Sequence, residues 1–224
     1  MKRFLRFILK FFIIILMAVY VFICFFSSIT LFKMEISKRQ DISTLSAVIK
    51  KAVAEDRPND VYAWMHYRPL AETEALIAII TPESSRLGTN TFLELSRRQM
   101  QRGRKEDALF WAQLARYRLR YDALRCGAPD STETLNRILQ LFSSPQIQDL
   151  LQKHPELVKK SVQQVLDFDS QHPARNSPAF VCTALDRITK SGRPQVPEEQ
   201  WENIRLTLRS VTEYSLKEMN GKQP

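Results

Sequence analysis

The stretch GRKEDALFWAQLARYRLRYDALRCGAP, residues 103–129, reads as one long helix between two glycines. Gly103 precedes the helical pattern and Gly127 follows it, and a glycine just past the last turn is a usual helix end. The residues before Gly103, which open near Thr89, show a second pattern of helical period. We therefore predict two consecutive helices, the second over about residues 105–125, joined by a turn at Gly103.

The other segments that follow residue 40 also show helical period, and proline marks most of the turns between them. No stretch alternates apolar and polar residues next to an Asn-Gly or Asp-Gly turn, which would indicate a β-hairpin. The fold class predicted for this part of the chain is therefore all-α. Outside the pair described above, the predicted helices begin near Asp41, Asn59, Ala71, Asp130, Ser144, Pro155, Ser177 and Pro197.

The predicted helix pair has the pattern of a helical repeat. Its contact positions carry large apolar residues and small residues, namely Phe92, Leu95 and Trp111 among the large and Ser96, Ala108 and Ala115 among the small. Over about 30 residues the pair resembles one tetratricopeptide or Sel1-like repeat. It departs from that pattern at Gln99, where the first helix should carry an aromatic residue, and no second copy follows at the same period. The resemblance implies an α-solenoid-like, tetratricopeptide-like helical domain that binds proteins.

Residues 11–32, FFIIILMAVYVFICFFSSITLF, contain no charged side chain and are bounded by Lys10 and Lys33. As a helix this run is about 33 Å long, enough to cross a hydrocarbon layer of about 30 Å. A cleaved secretory peptide would have a shorter apolar region and small residues at its cleavage site, whereas bulky residues surround Cys24. We therefore predict a retained single transmembrane helix.

The basic residues on the two sides of this run predict its orientation. Lys2, Arg3, Arg6 and Lys10 precede the run, whereas Lys33, Lys38 and Arg39 follow it among acidic residues. The excess before the run favours a cytoplasmic N-terminus. We predict a bacterial inner-membrane protein with a cytoplasmic segment 1–10, an anchor 11–32, a linker 33–40, a periplasmic all-α domain 41–219 and a tail 220–224.

The net charge of +9 is concentrated in two places. Part of it flanks the predicted anchor, and residues 86–125 carry ten basic side chains against four acidic ones. A basic surface in that helix pair could bind an acidic protein partner or anionic lipid headgroups, while a periplasmic location argues against nucleic acid. The alternative is an ordinary solvated face. The partner-binding candidates are Arg97, Arg116, Arg120, Trp64 and Tyr67.

Cys126 and Cys182 are the two cysteines outside the predicted anchor. Because the periplasm is oxidising, we predict a disulfide between them. The alternative is that both are unpaired and buried as small apolar residues.

The sequence contains no pattern that predicts a cofactor or metal site. His66, His154 and His172 stand in no metal-ligand spacing, and Cys-x-x-Cys, glycine-rich phosphate loops and Gly-x-Ser-x-Gly are missing. Residues 81–85, TPESS, resemble the Glu-Ser motif of lytic transglycosylases, in which one carboxylic acid protonates the glycosidic oxygen. The aromatic and glycine-rich motifs of those enzymes do not follow here, so a helix-capping or loop role for Glu83 is favoured.

We therefore predict a protein that is not an enzyme. Its predicted role is that of a membrane-anchored helical scaffold that binds protein partners, for example as an accessory subunit of an envelope or secretion assembly. Two alternatives remain open from the sequence. One is a peptidoglycan-acting lytic enzyme that uses Glu83, and the other is a cytoplasm-facing regulatory or nucleic-acid-binding module, which requires the reverse orientation.

Overall fold

The computed structural model describes residues 42–55, 57–127, 144–189 and 194–221. These ranges contain nine α-helices and no β-strand, so the all-α prediction is confirmed for them. The helices are α1 (Ile42–Ala54), α2 (Pro58–His66), α3 (Thr73–Ile80), α4 (Thr89–Gln101), α5 (Lys105–Arg125), α6 (Pro145–Lys153), α7 (Pro155–Gln171), α8 (Ala179–Thr189) and α9 (Trp201–Gly221). Short 3-10 helices occupy Leu70–Glu72, Thr81–Arg86 and Glu198–Gln200.

Several predictions fall outside the described residues. They are the segments 1–10, 11–32 and 33–40, most of the tail 220–224, and the helix expected to begin near Asp130. Within the described ranges, no helix combines the length and the apolar character that crossing a bilayer demands.

Proline and glycine set the helix limits much as the sequence predicts. Pro58, Pro145 and Pro155 each occupy the first turn of a helix. Proline is tolerated there because the backbone N–H groups of the first turn make no hydrogen bond within the helix. Ser144 caps α6 by accepting a hydrogen bond from the Ile147 amide at 3.3 Å. The positive φ of +76° at Gly103 lets the chain turn between α4 and α5.

Helices α4 and α5 form the predicted hairpin. Its interior is filled by Phe92 and Trp111, whose rings are stacked with centroids 6.0 Å apart. Ala108 and Ala115 are fully buried, and the Ser96 hydroxyl donates to the Ala108 carbonyl at 2.7 Å. Small residues at these positions allow the two backbones to approach closely, as in a single helical repeat.

The remaining helices are arranged around α5. This helix contacts α4, α6, α7, α8 and α9. In an α-solenoid each repeat contacts its neighbours along the chain. The arrangement of the described helices therefore differs from the predicted array, because buried side chains surround α5 on nearly every side and bring distant helices against it.

The Cys126–Cys182 pair joins the end of α5 to α8. The two sulfur atoms lie 2.06 Å apart, so the structure brings these cysteines together as predicted. Next to them, Leu119 and Ala123 of α5 pack against Val181 and Leu185 of α8. The second half of α5 thus holds α8 through both a covalent bond and a small apolar cluster.

Candidate partner-binding site on helices α2 and α4

The basic surface predicted for residues 86–125 is smaller than the sequence indicates. Three of its ten basic side chains are fully buried, namely Arg98, Arg118 and Arg125. Arg102 and Arg104 both form ion pairs with Glu74 of α3, the latter at 3.0 Å. Much of the excess positive charge predicted for this surface is therefore buried inside the molecule or paired with an acidic side chain at its surface.

Arg98 fastens the segment that connects α2 to α3. Its Nη1 donates to the carbonyls of Met65 and Arg68, each at 3.0 Å, and its Nη2 donates to the carbonyl of Pro69. Its Nε donates to the Thr73 hydroxyl at 3.2 Å. Burial lowers the pKa of this guanidinium, although arginine remains charged at any ordinary pH. The side chain thus ties the end of α2 and the segment after it to α4, in addition to the backbone hydrogen bond that the Met65 carbonyl accepts from Arg68.

Glu94 lies on α4, and its side chain is only 2% exposed. Its two carboxylate oxygens accept hydrogen bonds from Arg97 Nε at 2.8 Å and Arg97 Nη2 at 2.5 Å. The same carboxylate lies 3.3 Å from Nδ1 of His66, whose side chain is 41% exposed. A buried acid therefore holds two groups that reach the surface, and this hydrogen bonding raises the pKa of Arg97.

Two tyrosines flank this imidazole. The ring of Tyr62 lies 5.7 Å from that of His66, and the ring of Tyr67 lies 5.3 Å from it on an edge-to-face contact. Burial and then the charge of Glu94 raise the pKa of Tyr62. We call these five residues the His66 cluster: Tyr62, His66, Tyr67, Glu94 and Arg97.

The His66 cluster contains side chains that are suited to recognising a partner. Tyrosine and arginine are the residue types that most often dominate binding energy at protein interfaces. Nowhere in the described ranges do three His, Cys, Asp or Glu side chains come together as a metal site.

Two of the five predicted partner-binding residues, Arg97 and Tyr67, belong to the His66 cluster. Trp64 lies on α2, which ends just before Tyr67, but is half-buried and packs against the buried apolar side chains of the described helices. Arg116 and Arg120 lie half-buried on α5, and burial lowers the pKa of Arg116.

Sequence reasoning missed the other three members of the cluster. Tyr62 and His66 are four residues apart on one face of a helix, which was a usable local signal. Glu94 is 28 residues from His66, and no local pattern indicates that pairing.

A second charged network lies inside the molecule, around the end of α5. The guanidinium of Arg125 is 4.4 Å from the ring centroids of both Tyr121 and Trp201. It donates to the Asn176 carbonyl at 2.8 Å and pairs with Asp122. Burial raises the pKa of Asp122, and the adjacent Arg125 opposes that rise. These contacts fix α9 and Asn176 to α5.

Asp169 of α7 forms the other half of this network. Its carboxylate lies 3.3 Å from Arg118 Nη2 and accepts a hydrogen bond from Arg205 Nη1 at 2.9 Å. Arg118 also donates to the carbonyl of His172, and burial lowers its pKa. Because both Arg118 and Asp169 are buried, this network joins helices and offers no surface for a partner.

Glu83 lies half-buried in the 3-10 helix Thr81–Arg86. The Ser84 hydroxyl beside it donates to the Thr81 carbonyl at 2.7 Å, so this serine is engaged with its own backbone. The position agrees with a local structural role for the TPESS segment.

The likeness of the α4–α5 hairpin to a single repeat covers about 30 residues and concerns the packing of two helices alone. No protein-family model, no curated protein and no solved structure matches the chain.

Proposed function

We propose that the chain is a membrane-anchored helical scaffold that binds a protein partner through the His66 cluster. One observation carries this proposal: the buried carboxylate of Glu94 holds His66 and Arg97 in place at the surface, beside Tyr62 and Tyr67. Side chains that are already fixed lose little conformational entropy when a partner binds. The cluster is therefore suited to binding through few contacts.

The charge of the cluster favours an acidic partner surface. The guanidinium groups of Arg97 and Arg98 both lie within 4 Å of the single carboxylate of Glu94, at 2.5 Å and 3.9 Å. Two guanidinium groups therefore share one carboxylate charge, and the surplus positive charge lies on Arg98, which is buried directly beneath the cluster. Complementary charge on the partner would speed association and select against basic surfaces.

The predicted anchor gives this scaffold its location. We place residues 11–32 in a bacterial inner membrane and the helical domain in the periplasm, where an accessory subunit of an envelope or secretion assembly would meet its partner. Attachment to one membrane raises the local concentration of both proteins, so that weak docking suffices. A C-terminal alkaline phosphatase fusion tests the orientation, because that enzyme is active only when exported; an inactive fusion would contradict it.

Photo-crosslinking in intact membranes tests the binding site. A photoreactive amino acid replaces Tyr67 in the full chain, and we expect it to capture one specific partner. The matched control carries the same amino acid at Phe180, an exposed aromatic residue on α8. Adding His66→Ala, which leaves the pair of Glu94 and Arg97 intact, should lower capture at position 67 at least fivefold. Equal capture at both positions, or capture indifferent to His66→Ala, would contradict the proposed site.

A further inference from the structure

Helix α8 is attached to the other described helices through a small contact. Its principal neighbour among them is α5. Val181 and Leu185 of α8 pack on Leu119 and Ala123 of α5, in an apolar cluster that is separate from the larger core of the described helices. The same two helices are joined by the Cys126–Cys182 bond. Because the apolar contact is small, the covalent bond has a large share in holding α8.

The chain on both sides of α8 is fixed at one residue of α5, Arg125. Before α8, the carbonyl of the buried Asn176 accepts a hydrogen bond from Arg125 Nη1 at 2.8 Å. After α8, the amide of Val196 donates to the Arg125 carbonyl at 2.8 Å, and the carbonyl of Val196 accepts from Trp201 Nε1 at 2.9 Å. Helix α8 therefore lies between two points that are held without the bond, and it can leave α5 while both points stay in place.

The two sulfur atoms differ in their access to solvent. Cys126, at the end of α5, is 7% exposed, whereas Cys182, in the first turn of α8, is half-buried. Ala179, Phe180 and Thr183, which lie close to Cys182 along α8, are exposed and uncharged. Access decides which sulfur of a disulfide a thiolate attacks. A thiolate that arrives from solvent therefore reaches Cys182 first.

From these observations we propose that the Cys126–Cys182 bond is a redox latch, whose reduction by a dithiol protein releases α8 while the other described helices stay folded. Local opening of one element is expected where few buried apolar contacts hold it. An isolated helix of 11 residues is unstable in water, so α8 loses its helical structure when it is released. Its release uncovers Leu119 and Ala123 on α5. The latch thus switches this part of α5 between a covered and an exposed apolar surface.

The reduction is a thiol–disulfide exchange in two steps. A thiolate of the dithiol attacks Sγ of Cys182 and forms a mixed disulfide, and Cys126 leaves as a thiolate that takes a proton from water. The second thiolate of the dithiol then attacks the dithiol's own sulfur in the mixed disulfide, and Cys182 leaves and is protonated in turn. The cysteine pair gains two electrons and two protons, and the dithiol becomes a disulfide.

Hydrogen–deuterium exchange of the full chain in detergent tests the release of α8. A dithiol reductant should raise the exchange rate of the α8 amides at least tenfold. The amides of α4 and α7 should change less than twofold, because these helices pack on α5 without the bond. The control is the Cys126→Ser, Cys182→Ser double variant, whose α8 should exchange rapidly with or without reductant.

Two results of this experiment would overturn the latch. One is an α8 that stays protected in the reduced chain or in the double variant, which would show that the apolar contact alone holds the helix. The other is an equal rise of exchange in α4, α7 and α8, which would show that reduction unfolds the whole helical domain.

Thiol labelling tests whether a dithiol protein reaches the bond in the folded chain. In a Cys24→Ser background, the Cys126–Cys182 pair supplies the remaining cysteines of the chain. Reduced thioredoxin, used as the probe, should let two maleimide groups add to the chain without denaturant, as counted by mass spectrometry. A thioredoxin variant that lacks its second cysteine should be trapped on Cys182. Reduction that requires denaturant would overturn the latch, and trapping on Cys126 would overturn the order of attack.

Discussion

At the scale of single residues, the buried arginines Arg98, Arg118 and Arg125 determine how irregular segments are held. Each guanidinium donates to the carbonyl of a residue outside the helix on which it lies. Arg98 donates to Pro69, Arg118 to His172 and Arg125 to Asn176. Buried backbone carbonyls require partners, and the long planar donor group of arginine can supply several at once. For Arg98 these hydrogen bonds offset much of the cost of burying the charge. For the other two the offset is smaller, because Nε and Nη1 of Arg118 and Nε of Arg125 are buried without a hydrogen-bond partner.

The first prediction concerns Arg98. Replacing it with methionine fills similar space but removes the guanidinium donor from the carbonyls of Met65, Arg68 and Pro69. We expect Arg98→Met to lower the free energy of unfolding by about 3 kcal/mol, since buried hydrogen bonds to charged groups contribute about 1.5–3 kcal/mol each and are not additive. Urea denaturation of the full chain in detergent measures the change.

Two further variants make this prediction specific. Arg98→Lys keeps the charge but not the planar donor group, so it should recover only part of the loss. Arg187→Met, at an exposed position on α8, should change the free energy of unfolding by no more than about 0.5 kcal/mol. Equal effects of Arg98→Met and Arg187→Met would show that the buried contacts contribute little.

At the scale of elements, the α4–α5 hairpin follows the repeat pattern except at Gln99. This side chain is buried, and its amide lies 3.4 Å from Glu74 of α3. In a repeat array, an aromatic residue at that position would pack against the next repeat. Here the neighbour of Gln99 is the polar side chain of Glu74 on α3. The polar neighbour therefore explains why a glutamine, and not an aromatic residue, stands at position 99.

The second prediction concerns the turn of this hairpin. Gly103 has φ +76°, and a Cβ added there would meet no atom within 4 Å, so a substitution is costly only through the backbone. We expect Gly103→Ala to destabilise the protein by about 1–2 kcal/mol. Gly103→Asn should cost less, because asparagine tolerates the left-handed conformation better. Thermal unfolding of the three proteins measures the order, and a loss as large with Asn as with Ala would contradict this explanation.

At the scale of the whole molecule, α5 is the helix against which the others are assembled. Its first half packs on α4 and its second half holds α7, α8 and α9 through the buried charges and the Cys126–Cys182 bond. Contacts between residues more than 50 positions apart thus converge on one helix, as with Arg118 and His172.

The third prediction concerns that covalent bond. Because the bond closes a loop of 57 residues, removing it should lower the free energy of unfolding by about 2–4 kcal/mol in the chain-entropy account. We expect a dithiol reductant to lower the unfolding midpoint of the wild-type chain. The same reductant should leave the midpoint of the Cys126→Ser, Cys182→Ser double variant unchanged. A wild-type midpoint insensitive to the reductant would show that the bond does not contribute to stability.

The sequence by itself determined where most of the described helices begin and end. Proline, glycine and helical period act on neighbouring residues, so Pro145, Pro155, Gly103 and Gly127 could be interpreted without knowing the fold. The cysteine pair followed from the predicted compartment together with the cysteine count. The membrane anchor at residues 11–32 and the partner-binding role stay predictions.

Only the tertiary structure decided which charged residues are buried and which surface is organised for binding. A helical pattern shows that one face of a helix is buried, but it does not show which residues pack against that face. An arginine lies inside the protein where carbonyls from distant residues accept its hydrogen bonds, and on a solvated face where none do. Arg98 and Arg97 are adjacent in sequence, yet one is enclosed by the end of α2 while the other reaches the surface beside His66. That difference arises because contacts across 28 or more residues of chain, such as that of Glu94 with His66, leave no periodic signal in the sequence.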